Sequence, residues 1–150
     1  MKGQSGVNFM DLALDEARAA GLRGEVPVGA VIVAAGRIVA RAGNRTRELA
    51  DPTAHAELLA IRAAARTLGE RLTGADLYVT LEPCPMCAAA ISAARVARLY
   101  YGASDPKSGG VGQGPRIFAH PQCHHVPEVY DGLSAAASER LLKDFFAARR

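Results

Sequence analysis

The sequence predicts an α/β protein of three layers, a mixed sheet with helices on both faces, and three observations point there. Apolar residues recur at helical spacing in some segments and at strand spacing in others, and the two periods alternate along the chain. Glycine, proline or a capping residue stands at nearly every change of period. The 150 residues are 49% apolar, enough for one core without staples and too few for a second domain.

Phe9, Leu12, Ala13, Ala17 and Ala20 share one face of a first helix, with Gly21 as its expected stop. Val28 to Ala34 is a β-branched apolar run, Ala35-Gly36 a turn and Arg37 to Ala42 a second strand, which together read as a hairpin. Asp51-Pro52-Thr53 joins a breaker to a capping residue, so Ala54 to Leu68 is expected as helix, ended by Gly69. Asp76 to Leu81 alternates in polarity as a strand, Pro83 to Ala94 reads as a helix opened near a proline, and Val96 to Tyr101 as another strand. Gly102 to Gly114 contains five glycines and is expected to be a long, mobile, functional loop, after which Leu133 to Arg149 closes the chain as a helix. Periodicity thus yields four strands.

Eighteen Lys and Arg against fifteen Asp and Glu give a net charge of +3, a mild bias that permits a phosphate-bearing partner without requiring one. Fifteen of the eighteen are Arg, which suits phosphate and base recognition, although a chain with 30 alanines carries a compositional bias that explains the arginines equally well. The interspersed signs exclude a disordered charged tail. No window approaches the roughly 20 apolar residues of a membrane span, and Met1 to Val7 lacks the apolar stretch of a signal peptide. A cytoplasmic protein is expected. Three cysteines, two of them at Cys84-x-x-Cys87, exclude a disulfide scaffold and fit metal or redox chemistry in a reduced compartment.

His55 stands early in the second expected helix, and Cys84 and Cys87 where the third begins, one turn apart, so that both sulfurs lie on one side. Thiolates with an imidazole suit tetrahedral zinc, and a helix N-terminus favours the thiolate form. Three ligands leave a fourth position for water, whose pKa falls to about 7 on zinc. Glu57 then supplies a carboxylate able to carry protons between that water and a substrate. Residues two apart inside a helix point to different sides, so His55 and Glu57 converge only if the helix starts beside them, which Asp51-Pro52-Thr53 allows. A redox Cys-x-x-Cys and a closed structural zinc completed from Cys123, His124 or His125 stay open. The flanking Pro83 and Pro85 and the His-x-Glu pair favour metal over redox.

His55-Ala56-Glu57 followed by Pro83-Cys84-Pro85-Met86-Cys87 matches a known zinc-deaminase pattern. Pro27-Val28-Gly29-Ala30-Val31, Asn44, Asp51-Pro52-Thr53-Ala54, Leu77 to Glu82, Gly102-Ala103-Ser104-Asp105 and Asp144-Phe145-Phe146 accompany it. With these the sequence resembles the cytidine-deaminase-like superfamily, most closely the bacterial tRNA-specific adenosine deaminases, over nearly the whole chain. The resemblance implies a three-layer αβα fold with a mixed five-stranded sheet, residues 1–150 forming a single zinc-dependent deaminase domain. It implies one zinc per chain at His55, Cys84 and Cys87, with Glu57 as proton shuttle. It implies substrate contacts at Asn44, Ala56, Pro83, Asp105, His120 and Phe145, with the backbone of Ala56 and Cys84 holding the base and the developing oxygen. It also implies a tRNA anticodon loop as partner, flanked by the terminal arginines, and a homodimer, to which the small-residue stretch from Met86 to Ala94 lends a second reason.

The activity so implied is hydrolytic deamination of adenosine to inosine at the wobble position of a tRNA anticodon. A deaminase of free guanine, cytosine or another small base is the rival enzyme, and a zinc-stapled nucleic-acid-binding module the rival without turnover. Arg98, Lys107, Arg149 and Arg150 gathered at the metal's mouth would favour tRNA, an enclosed apolar pocket a free base, and a closed four-ligand site the binding module.

Overall fold

In the computed structural model, which describes residues 8–149, the first helix is α1 (Phe9–Leu22). Asn8 caps it, its side-chain oxygen accepting the N–H groups of Met10 and Asp11 at 3.0 and 3.2 Å. The helix runs through the expected stop at Gly21, and the left-handed residue is Gly24, with φ +90°. Strands β1 (Gly29–Ala34) and β2 (Arg37–Gly43) form the expected hairpin. Ala35 and Gly36 both take positive φ, 52° and 75°, the combination that matches the twist of paired strands.

The remaining elements are α2 (Ala56–Leu68), β3 (Asp76–Leu81), α3 (Pro85–Ala93), β4 (Arg98–Ala103), β5 (Glu128–Tyr130) and α4 (Ala135–Ala147). Both α2 and α3 begin two residues later than their periodicity suggests, which leaves His55 and Cys84 just outside the helices. The sheet order is β2-β1-β3-β4-β5, with β1 antiparallel to β2 and β3, and β3, β4 and β5 mutually parallel. The fifth strand has three residues, all exposed, so it carries no apolar alternation for a sequence pattern to register.

Alternation within the strands sorts the helices onto two faces. Ala30, Ile32, Leu77, Val79 and Leu99 meet Ala56, Ala60 and Ala64 of α2 and Ile91 of α3. Val31, Val33, Tyr78 and Tyr100 meet Met10 and Ala13 of α1 on the other face, where α4 packs beside it. Gly29 lets α1 lie directly on β1: a Cβ there would overlap the carbonyl oxygen of Ala13. None of the described helices is long and apolar enough to cross a membrane. Met1 to Val7 and Arg150, which figured in the sequence analysis, lie outside the described residues.

The glycine-rich segment after β4 is not the free mobile loop its composition suggests. Its backbone N–H groups converge on the buried carboxylate of Glu82, and Gly110 donates to the Pro83 carbonyl at 2.8 Å. Glycine serves here for close approach rather than for disorder.

Candidate metal centre

His55 and Cys84 are the residues immediately preceding α2 and α3, in extended conformations with φ −75° and −72°. Neither side chain caps its own helix, so each is free to point at the other. Pro85 occupies the first position of α3, where its missing N–H costs nothing, and Cys87 follows within the first turn. The imidazole Nδ1 of His55 lies 3.6 Å from the Cys84 sulfur and 3.4 Å from the Cys87 sulfur. The three ligand atoms are all within 4.8 Å of one another, and no other such cluster occurs among the described residues. Tetrahedral zinc with bonds of about 2.0 Å to nitrogen and about 2.3 Å to sulfur holds its ligands roughly 3.5 to 3.8 Å apart. The donor set fits that ion in both chemistry and spacing.

Two helix N-termini therefore face one point, and unpaired N–H groups there favour anionic sulfur. The Cys84 thiol is drawn down to about 4, chiefly by the hydrogen bond it shares with Cys87 and then by His55. The same shared bond, with burial, pushes the Cys87 thiol up, and the bond to Cys84 raises His55. Both sulfurs must be deprotonated to bind a metal ion, so its binding would release protons here.

Glu57 lies in the first turn of α2, 3% exposed, with its Oε1 lacking any hydrogen-bond partner. Burial pushes its carboxyl up to about 7. A buried polar atom left unpaired carries a penalty of about 1–3 kcal/mol, so Glu57 is poised for a partner delivered from outside the chain.

The pocket above these groups holds about 220 Å³. Asn44 and Thr46 form one wall, and Asp105 and Ser108 the opposite one. Through Val26, Leu81, Asp105 and Ser108 it opens into a groove of about 580 Å³ that Lys107 and Phe146 also line.

Two buried carboxylates stand behind the walls. Glu25 accepts the N–H groups of Arg47 and Glu48 at 3.1 and 2.8 Å. Glu82 accepts those of Asp105, Val111, Gly112 and Gln113 at 2.9 to 3.1 Å. Burial alone would raise both carboxyls, but these bonds outweigh it and lower both below the ordinary value of 4.5. A folded-state value below the unfolded one contributes stability above about pH 4.5, lost as pH falls through the folded value. The denaturant midpoint is accordingly expected to drop between pH 7 and pH 3.5, and to drop less in Glu25→Gln; equal drops would remove Glu25 from this linkage.

The sequence-derived site residues divide into those brought together and those placed elsewhere. Asn44 reaches the pocket, where its Nδ2 donates to the Val26 carbonyl at 3.1 Å and its Oδ1 accepts the Ala56 N–H at 2.8 Å. The Ala56 N–H is therefore committed within the chain. Pro83 is buried beneath the centre, and Asp105 lies in the wall with its Oδ1 accepting from the N–H groups of Lys107 and Ser108. His120 lies instead in a cavity along the far side of α3, beside Ala89 and Ala93, with its Nε2 2.6 Å from the Pro115 carbonyl.

Phe145 sits beneath the Arg149 guanidinium at 3.5 Å and edge-on to Phe146 at 5.3 Å, and Phe146 is the ring that lines the groove. Arg98 belongs to the opposite end of the sheet, paired with Asp76 at 2.8 Å, since β4 starts where β3 starts and the metal centre follows the end of β3. Of the candidate fourth ligands, Cys123 contacts Ser92 and the His125 carbonyl, His125 contacts the Val96 carbonyl, and His124 is exposed. None joins the centre, so the closed structural site is not formed. Sequence reasoning gave no role to Glu25, Glu82, Thr46 or Ser108; a carboxylate beside Pro83-Cys84 at an apolar strand end was the one available signal.

A family model described as the cytidine and deoxycytidylate deaminase zinc-binding region matches residues 4–103. The chain is 63% identical to a tRNA-specific adenosine deaminase of Agrobacterium fabrum over 144 residues, 95% of each chain. It is 47% identical to a tRNA-specific adenosine deaminase of Rickettsia bellii, over 89% of this chain and 94% of that one. A solved structure from work on A-to-I editing by tRNA:A34 deaminases at the wobble position of transfer RNA superposes with a TM-score of 0.88 at 65% identity. It covers 89% of this chain and 98% of that one.

Proposed function

The chain belongs to the cytidine and deoxycytidylate deaminase zinc-binding family, and from that premise we infer that it hydrolyses adenosine to inosine at the wobble position of a tRNA anticodon. The observation that carries this reading is a three-ligand centre beneath an unpartnered buried carboxyl, in a pocket that opens onto a groove bearing Lys107 and Phe146. A base presented in an anticodon loop can be splayed into such a pocket without unpairing a duplex.

His55, Cys84 and Cys87 would hold zinc, which when bound would supply the Lewis acidity for activating water near neutral pH. The rest falls to the chain. The Glu57 carboxylate takes one proton from the attacking water and passes it to N1 of the adenine ring, then takes the second from the new C6 hydroxyl and delivers it to the amino group leaving C6. Oxygen replaces nitrogen at C6, and ammonia departs. Asn44 spends one Nδ2 proton on Val26 and presents the other to the nucleoside, while its bond to Ala56 fixes the start of α2. Asp105 completes the wall around the base above the buried Pro83, and the stacked Phe145–Arg149 pair with Phe146 and Lys107 flanks the neighbouring nucleotides.

In this reading residues 1–150 act as one deaminase domain, in the cytoplasm, where its three free thiols stay reduced. The chain works as a homodimer through the exposed small residues Ala89 and Ala93 of α3. These border a cavity of about 510 Å³, and His120 is assigned to that face rather than to substrate. Inosine is expected in an anticodon stem-loop with adenosine at the wobble position, with no ammonia from free guanine or cytosine. Because phosphates dominate such binding, affinity should fall steeply with salt, and Lys107→Ala with Arg149→Ala should flatten the slope by roughly 1.4, two contacts at about 0.7 each. Rapid ammonia release from a free base with no inosine in the stem-loop would replace this reading by a small-molecule deaminase.

A further inference from the structure

Glu25 and Glu82 take no part in the proton transfers above, yet each is a carboxylate only 2% exposed. Burying such a group is expensive unless its oxygens are fully hydrogen-bonded. Both groups meet that condition, chiefly with backbone N–H groups of the segments that carry the pocket residues Thr46, Asp105 and Ser108. Oε1 of Glu82 accepts the Asp105 N–H at 2.9 Å and the Ser104 hydroxyl at 3.2 Å. Its Oε2 accepts the N–H groups of Val111, Gly112 and Gln113 at 3.1, 2.9 and 3.0 Å. No ion pair to either glutamate is formed among the described residues. Glu25 does the same for the opposite wall through Arg47, Glu48 and, at 3.5 Å, the Thr46 hydroxyl.

The packing around Glu82 admits little slack. A Cβ on Gly109 would stand 2.5 Å from the Glu82 Cδ, and one on Gly110 2.5 Å from the Pro85 nitrogen. The segment from 104 to 113 is thereby pressed against both Glu82 and the turn that carries Cys84. Asp105 and Ser108 ride on that segment, and Asn44 and Thr46 on the one that Glu25 gathers.

We propose that Glu82 and Glu25 are positioning residues, each the anion around which one wall of the base pocket is wound, together setting the gap into which the substrate base fits. The proposal rests on the deaminase reading for its substrate, but the ordering of the walls is measurable without one. A carboxylate suits the role because it accepts on both oxygens. Glutamine must turn an NH₂ group toward backbone donors, and aspartate is too short to reach them all.

Hydrogen exchange on the zinc-loaded protein tests the winding directly. In Glu82→Gln the amides of Asp105, Val111, Gly112 and Gln113 should exchange about tenfold faster or more, the worth of one charge-assisted bond. Those of Arg47 and Glu48 should be unchanged, and Glu25→Gln should give the converse pattern. Zinc should stay at one per chain. With an anticodon stem-loop, KM should rise about tenfold while kcat moves by less than about threefold, the signature of lost binding geometry rather than lost chemistry. If Glu82→Gln fails to fold, Ser104→Ala, which removes one bond and keeps the charge, should shift the same amides and KM in the same direction by a smaller factor. Unchanged amide exchange, or a fall in kcat with KM constant, would overturn the proposal. A parent protein inactive on the stem-loop would instead fail the substrate reading, leaving the exchange pattern to decide whether the walls are wound on these two groups.

Discussion

Glu57→Gln is expected to bind one zinc per chain, melt as the parent does, and lose about 10² to 10⁴ of its turnover, the usual contribution of a positioned general acid–base group. The substitution keeps shape and burial while removing the only property the reaction needs, a reversible proton. Two features of the parent support so large an effect. The carboxyl is buried and raised to about 7, where it both accepts and gives a proton near neutral pH, and its Oε1 has no competing partner inside the chain. Deamination of the stem-loop under single-turnover conditions, with zinc measured on the same sample, decides the matter. Activity within a few fold of the parent would sink the role, and loss of zinc alongside activity would make Glu57 a ligand.

Cys87→Ala should cost more, because it removes metal and chemistry together. Supporting residues around metal ligands cost about 10- to 100-fold in affinity when replaced, so deletion of one of only three ligands should exceed about 100-fold and reduce turnover to background. Cys84→Ala should behave alike, whereas Cys123→Ala should retain both zinc and activity, since that sulfur contacts Ser92 and the His125 carbonyl away from the centre. Competition with a chelator at pH 7 ranks the three proteins. Full zinc in Cys87→Ala with loss in Cys123→Ala would reverse the ligand assignment.

Much of the site was legible because its parts are local. Cys84 and Cys87 share a turn, His55 and Glu57 share a helix start, and the proline breakers before each mark where the chain leaves one element for the next. The helix starts were misplaced by two residues for a physical reason. Apolar spacing continues across a cap, but the backbone of the cap residue is extended, and that conformation is what frees His55 and Cys84 to face each other. The glycine-rich segment was misjudged on flexibility because composition records what a chain can do and not what holds it. That Arg98 lies at the far end of the sheet and His120 along the far side of α3 was not legible, because distance along the chain says nothing about which end of a strand, or which side of a helix, a residue occupies.

By itself the sequence determined the chemistry of the ligands, the alternation of helix and strand, and the hairpin, since each depends on residues within a turn or two of one another. The tertiary structure alone decided that His55 and Cys84, 29 residues apart, come within 3.6 Å, that three exposed residues at Glu128–Tyr130 join the sheet, and that Glu82 gathers amides up to 31 positions away. These contacts have no period and no spacing rule. They form because burying the sheet's two faces brings the ends of β3 and the helix starts together, and a buried carboxylate or thiol there must then take whatever partners the packing delivers.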